Sequence, residues 1–268
     1  MSPTTFGVIG LGRMAQALLF PWMDSGLVEP ASVRAAVASG SSVERIHALR
    51  PDLQVSTDAA AAWSAPVVLL AVKPQQLEAV AASAPAPLSG ERPLLLSVLA
   101  GVRLERLQRL FPGWRVVRAV PNTPCLVRAG LTGLAWGEGI SGDDKAWIQE
   151  LFAQVGEVLE LPEAQLDAFL ALTSSGPAFV ALVADALADG AVAAGLPRQQ
   201  AHRLAHRTLA GTAALLHGQD LHPGELRDMV SSPGGTTIAG IRVLERSGLR
   251  SALIEAVVAA AERSRELG

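Results

Sequence analysis

Residues 6–19 read FGVIGLGRMAQALL, and this stretch decides the fold. A short apolar run ends at a glycine, and a helical apolar pattern starts immediately after it. Gly10, Gly12 and Ala15 stand in the spacing G-x-G-x-x-A. The first glycine allows a tight turn, and the second lets a pyrophosphate approach the backbone. Ala15 is small enough for close helix–strand packing, and the helix N-terminus that follows faces the phosphates. Taken alone, the spacing fits a plain tight turn as well. Placed between a strand and a helix, it reads as a dinucleotide-binding loop.

Outward from this loop, Val-, Leu- and Ile-rich runs alternate with helical stretches as far as residue 160. Thr5–Ile9, Val33–Val37, Pro66–Val72, Leu94–Val98 and Trp114–Val120 read as strands, separated by the helical Met14–Met23, Val43–Leu49, Pro74–Ala82 and Leu104–Leu110. Such alternation predicts a parallel sheet covered on both faces. Leu131–Trp136 and Val158–Leu161, flanking a helix over Asp143–Val155, extend that sheet. After Pro162 the texture is helical, over Glu163–Leu172, Pro177–Ala194, Arg198–His217, Pro223–Val230, Ile238–Arg246 and Arg250–Leu267. The expected class is α/β: an N-terminal Rossmann-type doubly wound parallel sheet over 1–161, then an all-α dimerisation and substrate-binding domain over 162–268, with the active site between them. Pro177–Ala194 is apolar on nearly every face apart from Asp185 and Asp189. A helix of that kind is buried on all sides, which a small helical domain alone cannot supply, so a second copy of the chain is expected to cover it.

The composition narrows the class. The chain has 268 residues, a net charge of −3, 50% hydrophobic residues and a mean hydropathy of +0.33. That balance offers no basic field for nucleic acid, and the apolar content excludes disorder. The apolar runs Pro66–Val72 and Pro177–Ala184 fall short of the ~20 residues of a membrane span, so no membrane partner is expected. The opening MSPTTFGVIGLG has neither a basic start nor a signal-type apolar stretch, and no export signal is read there. A single cysteine, Cys125, excludes an internal disulfide framework and fits a reducing cytoplasm. It follows a proline turn with no adjacent histidine, which suits packing better than nucleophilic chemistry. His202 and His206 stand four apart on a helix but share their surface with Arg203 and Arg207, so a solvated or interface face is expected in place of a metal site.

Four segments carry candidate chemistry. An NAD site usually places a carboxylate at the end of the second strand to hold the ribose 2′-OH. Here the sequence is AAVASGSSVER, with Ser39, Ser41, Ser42 and Arg45. Hydroxyls, backbone N–H groups and one cation suit a 2′-phosphate, so NADP(H) is favoured and NAD(H) is the alternative; the serines also suit a helix cap. LLAVKP (Leu69–Pro74) puts Lys73, one of only two lysines, at a strand end. RAVPNTP (Arg118–Pro124) places Asn122 and Thr123 between two prolines, a stiff loop presenting an amide and a hydroxyl or else a structural turn. In the helical half, VSSPGGTT carries Ser232, Gly234, Gly235, Thr236 and Thr237 into a helix N-terminus, whose free N–H groups suit a carboxylate.

These motifs, with SVLAGV (Ser97–Val102), LTSSGPAF (Leu172–Phe179), DALADG and HPGELRD, occur in order over almost the whole chain and resemble pyrroline-5-carboxylate reductase. The resemblance implies reduction of the cyclic imine 1-pyrroline-5-carboxylate to L-proline with NADPH or NADH, the last step of proline biosynthesis. It implies a homodimer built on the helical domain, often assembled as a decamer of five dimers. It further implies a cofactor held by Gly10, Leu11, Gly12, Arg13, Met14, Ala15, Ser39, Ser41, Val72, Lys73 and Ala100. The substrate carboxylate would meet Ser232–Thr237, with the Thr237 hydroxyl near the ring nitrogen. Glu163 matches a position that approaches substrate in relatives, and equally suits a carboxylate at a helix N-terminus. Asp58 stands where relatives often have an Asn that touches the adenosine ribose, Val120 where they often have Met, and Met229 at a position polar in some members. Two other readings are a different Rossmann reductase, usually marked by an interdomain lysine that this helical half lacks, and a non-catalytic NADP-binding protein, against which the intact SSPGGTT and PNTP argue.

Overall fold

The β-branched and leucine-rich runs form one eight-stranded sheet in a computed structural model that describes residues 5–267. The strands are β1 (Phe6–Ile9), β2 (Val33–Ala36), β3 (Gln54–Ser56), β4 (Val67–Leu70), β5 (Leu94–Ser97), β6 (Arg115–Pro121), β7 (Gly130–Trp136) and β8 (Gly156–Glu160). They lie in the order β3-β2-β1-β4-β5-β6-β7-β8, and among them only β6 and β7 pair antiparallel. The helices of this half are α1 (Arg13–Asp24), α2 (Gly40–Leu49), α3 (Ala60–Trp63), α4 (Leu77–Ala82), α5 (Leu104–Leu110) and α6 (Gly142–Ala153). This is the doubly wound α/β architecture expected from the sequence, with β7 and β8 extending the sheet. The strand β3 escapes sequence reading because it is three residues long and lies at the sheet edge, with two of its three residues exposed.

Strand periodicity splits the core in two. Phe6, Val8, Val67, Leu69, Leu94, Leu96, Val117 and Ala119 face one cluster, which includes Trp22 and Phe152. Ile9, Val68, Leu70, Leu95, Val116 and Val120 face the other, which includes Trp63, Phe111 and Trp114. Successive strand side chains point to opposite faces, so a sheet covered twice needs apolar residues at every position. Edge-on aromatic contacts, Trp22 to Phe152 at 5.3 Å and Trp63 to Trp114 at 5.7 Å, lock the two layers of helices down.

The remaining elements are a 3-10 turn at Glu163–Gln165, α7 (Leu166–Thr173), α8 (Gly176–Ala193), α9 (Arg198–Gly218), α10 (Pro223–Met229), α11 (Thr236–Arg246) and α12 (Leu249–Leu267). The chain forms two compact units: residues through Ser174 together with those from Ala261 on, and Ser175–Ala260. The border therefore falls after α7, whereas composition changes at Pro162. The reason is packing. Leu166 is fully buried in the second core cluster, and Leu166 and Phe169 crowd Gly133 of β7 so closely that a Cβ there would stand 2.8 Å and 3.0 Å from them.

Within the Ser175–Ala260 unit, the buried apolar cluster is small: Ala188, Ala201 and Ala205. Of α8 only Ala184 and Ala188 are buried, while Leu182 is 71% exposed and Val180 and Leu187 are exposed as well. One chain thus leaves open the helix that its composition would bury. The sequence expectation that every apolar stretch is too short for a membrane needs correcting here. Glu163–Ala193, with a mean hydropathy of 1.6 over its best window, is long and apolar enough by length and composition. Uninterrupted runs do not reveal it, because a few polar residues break the runs while the mean over the longer stretch stays high. The stretch is interrupted at Ser174–Ser175, and its Asp167 is engaged in the ionic cluster described below. The first four of the opening residues on which the export-signal reading rests lie outside the described residues.

Candidate active site

The strand order reverses beside β1, the place where doubly wound sheets bind ligands at their carboxyl ends. A cleft of about 580 Å³ opens there, lined by Gly10, Leu11, Gly12, Ser42, Arg45, Thr57, Val72 and Lys73 among others. Gly10 has φ +88°, and a Cβ there would stand 2.9 Å from the Ala71 carbonyl oxygen, so only glycine fits. Gly12 caps α1 without any side-chain partner, and a Cβ on it would meet nothing within 4 Å. The first turn of α1 carries no acid, and the cleft lining carries no carboxylate, only Arg45 and Lys73 as charged groups. Uncapped N–H groups, open space above them and two cations fit the phosphates of a dinucleotide.

The serine segment is built as one cluster. Ser39 caps α2, its Oγ accepting from the Ser42 N–H at 3.3 Å, and lies 3.0 Å from Ser41 Oγ. The Arg45 guanidinium donates to Ser42 Oγ at 3.2 Å, which aims it along the cleft wall. The hydroxyls that the sequence offers to a 2′-phosphate thus also cap α2. Lys73 is exposed at the end of the segment after β4, its N–H bonded to Gln76 Oε1 at 3.3 Å. Ala15 is buried behind the loop, Met14 is half-buried and Arg13 is exposed. Ala100 is exposed in the turn after β5, and Thr123 is exposed after β6. Asp58 lies beside the cleft lining and accepts the Ala60 N–H at 3.0 Å, opening α3. The wall residues Thr57, Gln76 and Val80 were not singled out from sequence, and Thr57 had only its place after a short edge strand to mark it.

Asn122 departs from expectation. Its side chain is not presented to a ligand: it is buried, Nδ2 donates to the Thr173 carbonyl at 2.9 Å, and Oδ1 accepts the Leu131 N–H at 2.8 Å. The amide clamps backbone where the sequence suggested a displayed group, because both neighbouring segments end with backbone groups that need partners. Cys125, two residues beyond Thr123, is buried against Gly130; burial pushes its thiol up despite hydrogen bonds around Asn122 and Thr132, as suits packing.

Glu163 is held from two sides. Its Oε1 accepts the Leu104 N–H, the first of α5, at 2.6 Å and a hydrogen bond from Arg118 Nη1 at 3.1 Å. Arg118, on β6, is fully buried, and its Nη2 lies 3.7 Å from Asp167 Oδ1. Asp167 in turn accepts from Ser264 Oγ at 2.7 Å. Glu163 and Arg118 stand in motifs legible in the sequence, whereas Asp167 and Ser264 do not: 97 positions separate those two, and no local pattern links them. Glu163 also borders a cleft of about 590 Å³ with Leu104, Trp136 and Glu160.

In the second unit, the polar loop runs from α10 to α11. Gly234 has φ +70° and Gly235 N–H bonds the Ser232 carbonyl at 3.0 Å, a turn that ends on Gly235 as an uncapped N-cap. The helix starts at Thr236, two residues before the sequence suggests, and Ala239 N–H makes its first bond, to the Gly235 carbonyl at 3.2 Å. The N–H groups of Thr236, Thr237 and Ile238 precede that bond, the geometry that receives a carboxylate.

Residues 163–267 match the family model described as pyrroline-5-carboxylate reductase dimerisation, and residues 5–101 match one described as NADP oxidoreductase, coenzyme F420-dependent. A pyrroline-5-carboxylate reductase from Synechocystis is 46% identical, covering 98% of this chain and 97% of its own. The chain belongs to the pyrroline-5-carboxylate reductase family. One from Arabidopsis thaliana is 40% identical over 97% of this chain and 94% of its own. Among solved structures, the Coxiella burnetii enzyme superposes with a TM-score of 0.88 at 32% identity, covering 100% of this chain and 99% of its own. A Plasmodium falciparum pyrroline carboxylate reductase with NADP bound matches with the same TM-score at 26% identity, over 100% of this chain and 99% of its own. Family membership thus rests on both units.

Proposed function

We propose that this chain reduces 1-pyrroline-5-carboxylate to L-proline with NADPH, NADH serving as the alternative donor. The observation that carries the reading is family membership over the full length together with an intact Ser232–Thr237 loop ending on uncapped helix N–H groups. NADPH, when bound, supplies the hydride. The chain's own residues bind and orient. Gly10–Met14 receive the pyrophosphate at the start of α1, and Ser39, Ser41, Ser42 and Arg45 take the 2′-phosphate. Val72, Lys73, Ala100 and Thr123 are assigned to the remainder of the cofactor. Asp58 serves as the start of α3 and borders the ribose side.

The N–H groups around Gly234–Thr237 take the substrate carboxylate, Ser232 contributes its hydroxyl, and the Thr237 hydroxyl bonds the ring nitrogen. A protonated imine is already electrophilic, so the residues' task is alignment and electrostatics, and no strong acid is required. Glu163 is given a positional part, consistent with the two N–H groups its Oε1 accepts.

The exposed apolar face of α8 supports burial against a second copy, the dimer named by the matching family model; five such dimers in a decamer is the larger assembly proposed. The matching dimerisation model supports a protein partner at this face, and the single cysteine supports a cytoplasmic location. The deciding test is turnover. Purified protein given pyrroline-5-carboxylate should oxidise NADPH and form proline, and absence of activity with both NADPH and NADH would defeat the reading.

A further inference from the structure

A fully buried arginine is costly to keep. Removing a guanidinium from water is repaid only when every donor finds an acceptor, and apolar replacements of such clusters often hold as well or better. Arg118 is fully buried, yet its Nε and Nη2 make no hydrogen bond to the described residues. Stability is therefore a poor account of its presence. Its contacts point elsewhere. Nη1 reaches Glu163 before α7, and Nη2 lies 3.7 Å from Asp167 in the first turn of α7. Asn122, four positions further along the same strand and its turn, holds the last carbonyl of α7 through Thr173. A single helix is thus fastened at both ends to one stretch of chain, residues 118–122. Asp167 also carries Ser264, and the half-exposed Arg103 stands 3.9 Å from it.

We propose that Arg118 is a positioning residue for hydride transfer: by spanning Glu163 and Asp167 it fixes α7 against β6 and so holds the turn carrying Asn122 and Thr123 in one geometry. The inference rests on the reading above, in which Thr123 meets the cofactor. The planar guanidinium reaches two carboxylates at once, which a lysine ammonium on a flexible stem does not reproduce. The adenosine and pyrophosphate contacts lie at β1 and α2, away from this cluster, so cofactor affinity and hydride alignment are separable.

The test is Arg118→Lys beside wild type, with Asp167→Asn as a second variant that keeps the Ser264 acceptor but removes the ion pair. Each is assayed for melting temperature, Kd of NADPH, kcat, and the isotope effect on kcat with NADPH deuterated at the transferred position. The expected result for Arg118→Lys is a folded protein with Kd within about twofold of wild type, kcat lower by about tenfold or more, and a larger isotope effect as hydride transfer becomes limiting. Asp167→Asn should shift kcat and isotope effect in the same direction by less. A merely structural role would lower the melting temperature and leave the isotope effect of the folded fraction unchanged, which overturns the proposal, as does wild-type kcat in either folded variant. If Arg118→Lys does not fold, Asp167→Asn alone decides by the same criteria. A wild type that fails to oxidise NADPH with pyrroline-5-carboxylate defeats the functional reading instead, a separate outcome of the same experiment.

Discussion

Asn122 Nδ2 donates to the carbonyl of Thr173 at 2.9 Å, joining the turn after β6 to the end of α7 across 51 positions of sequence. The same side chain accepts the Leu131 N–H through Oδ1 at 2.8 Å, so both polar atoms of the amide are engaged. Asn122→Ala leaves one buried and one half-buried backbone group without partners, at about 1–3 kcal/mol for the buried one. A clear fall in melting temperature is expected, with Asn122→Asp no more stable than the alanine variant at pH 7, because its second carboxylate oxygen would face the Thr173 carbonyl in a buried site. An unchanged thermal midpoint for the alanine variant would remove the clamp from the account.

Arg45 is the cation nearest the proposed 2′-phosphate position and is oriented by Ser42. Arg45→Ala should raise KM for NADPH by roughly tenfold, the scale of one charge-assisted hydrogen bond at an exposed site, while leaving KM for NADH nearly constant. Steady-state kinetics with both cofactors measure the ratio, and equal effects on the two would show that Arg45 does not read the phosphate.

Thr237 stands in the first turn of α11, beside the uncapped amides. Loss of its hydroxyl in Thr237→Ala should lower kcat/KM by about tenfold, and Thr237→Ser should restore most of it. Unchanged kcat/KM in the alanine variant takes Thr237 out of the mechanism.

Leu182 is 71% exposed on α8, and neighbouring apolar side chains are exposed with it. Light scattering at micromolar concentration should find a dimer or a larger assembly, and Leu182→Glu should shift the population towards smaller species by placing a charge in an apolar contact. A folded, stable wild-type monomer under those conditions would show that this face is not an interface between copies.

Asp144 links helix α6 to the sheet through Arg115. Burial alone would raise its carboxyl, but hydrogen bonds from Ser141 and the Arg115 guanidinium outweigh burial and hold it below its ordinary value. A carboxyl depressed in the folded state stabilises above its unfolded pKa and loses that contribution as pH falls through the lower folded one. Asp144→Asn should therefore be less stable than wild type at pH 7, with the difference closing below about pH 4. Urea denaturation at both pH values checks it, and a gap that persists undiminished in acid would contradict the linkage.

Much of the architecture is local and so was legible. Glycine at positions 10 and 12, a strand before them and a helix after them mark a dinucleotide-type turn by local spacing alone. Runs such as VVLL and LLLS, apolar at every position, already imply a sheet with two covered faces. The loop at Ser232–Thr237 was recognisable by composition, although its helix begins earlier than the apolar pattern does, because threonines at the first positions carry no hydrophobic signal. Harder to read were β3, too short for periodicity, and Asn122, whose residue type suits display and clamping equally.

By itself, then, the sequence determined the sheet, the dinucleotide turn and the family, since each depends on spacing within a few residues and on periodicity along one element. Tertiary structure alone decided how Glu163, Arg118, Asp167 and Ser264 come together, and that α7 packs with the sheet on the far side of the compositional change at Pro162. The physical reason is that burial and charge pairing depend on distance in space. Two carboxylates meet one guanidinium, a hydroxyl 146 positions from that arginine holds one of them, and no single element carries a pattern that records the meeting.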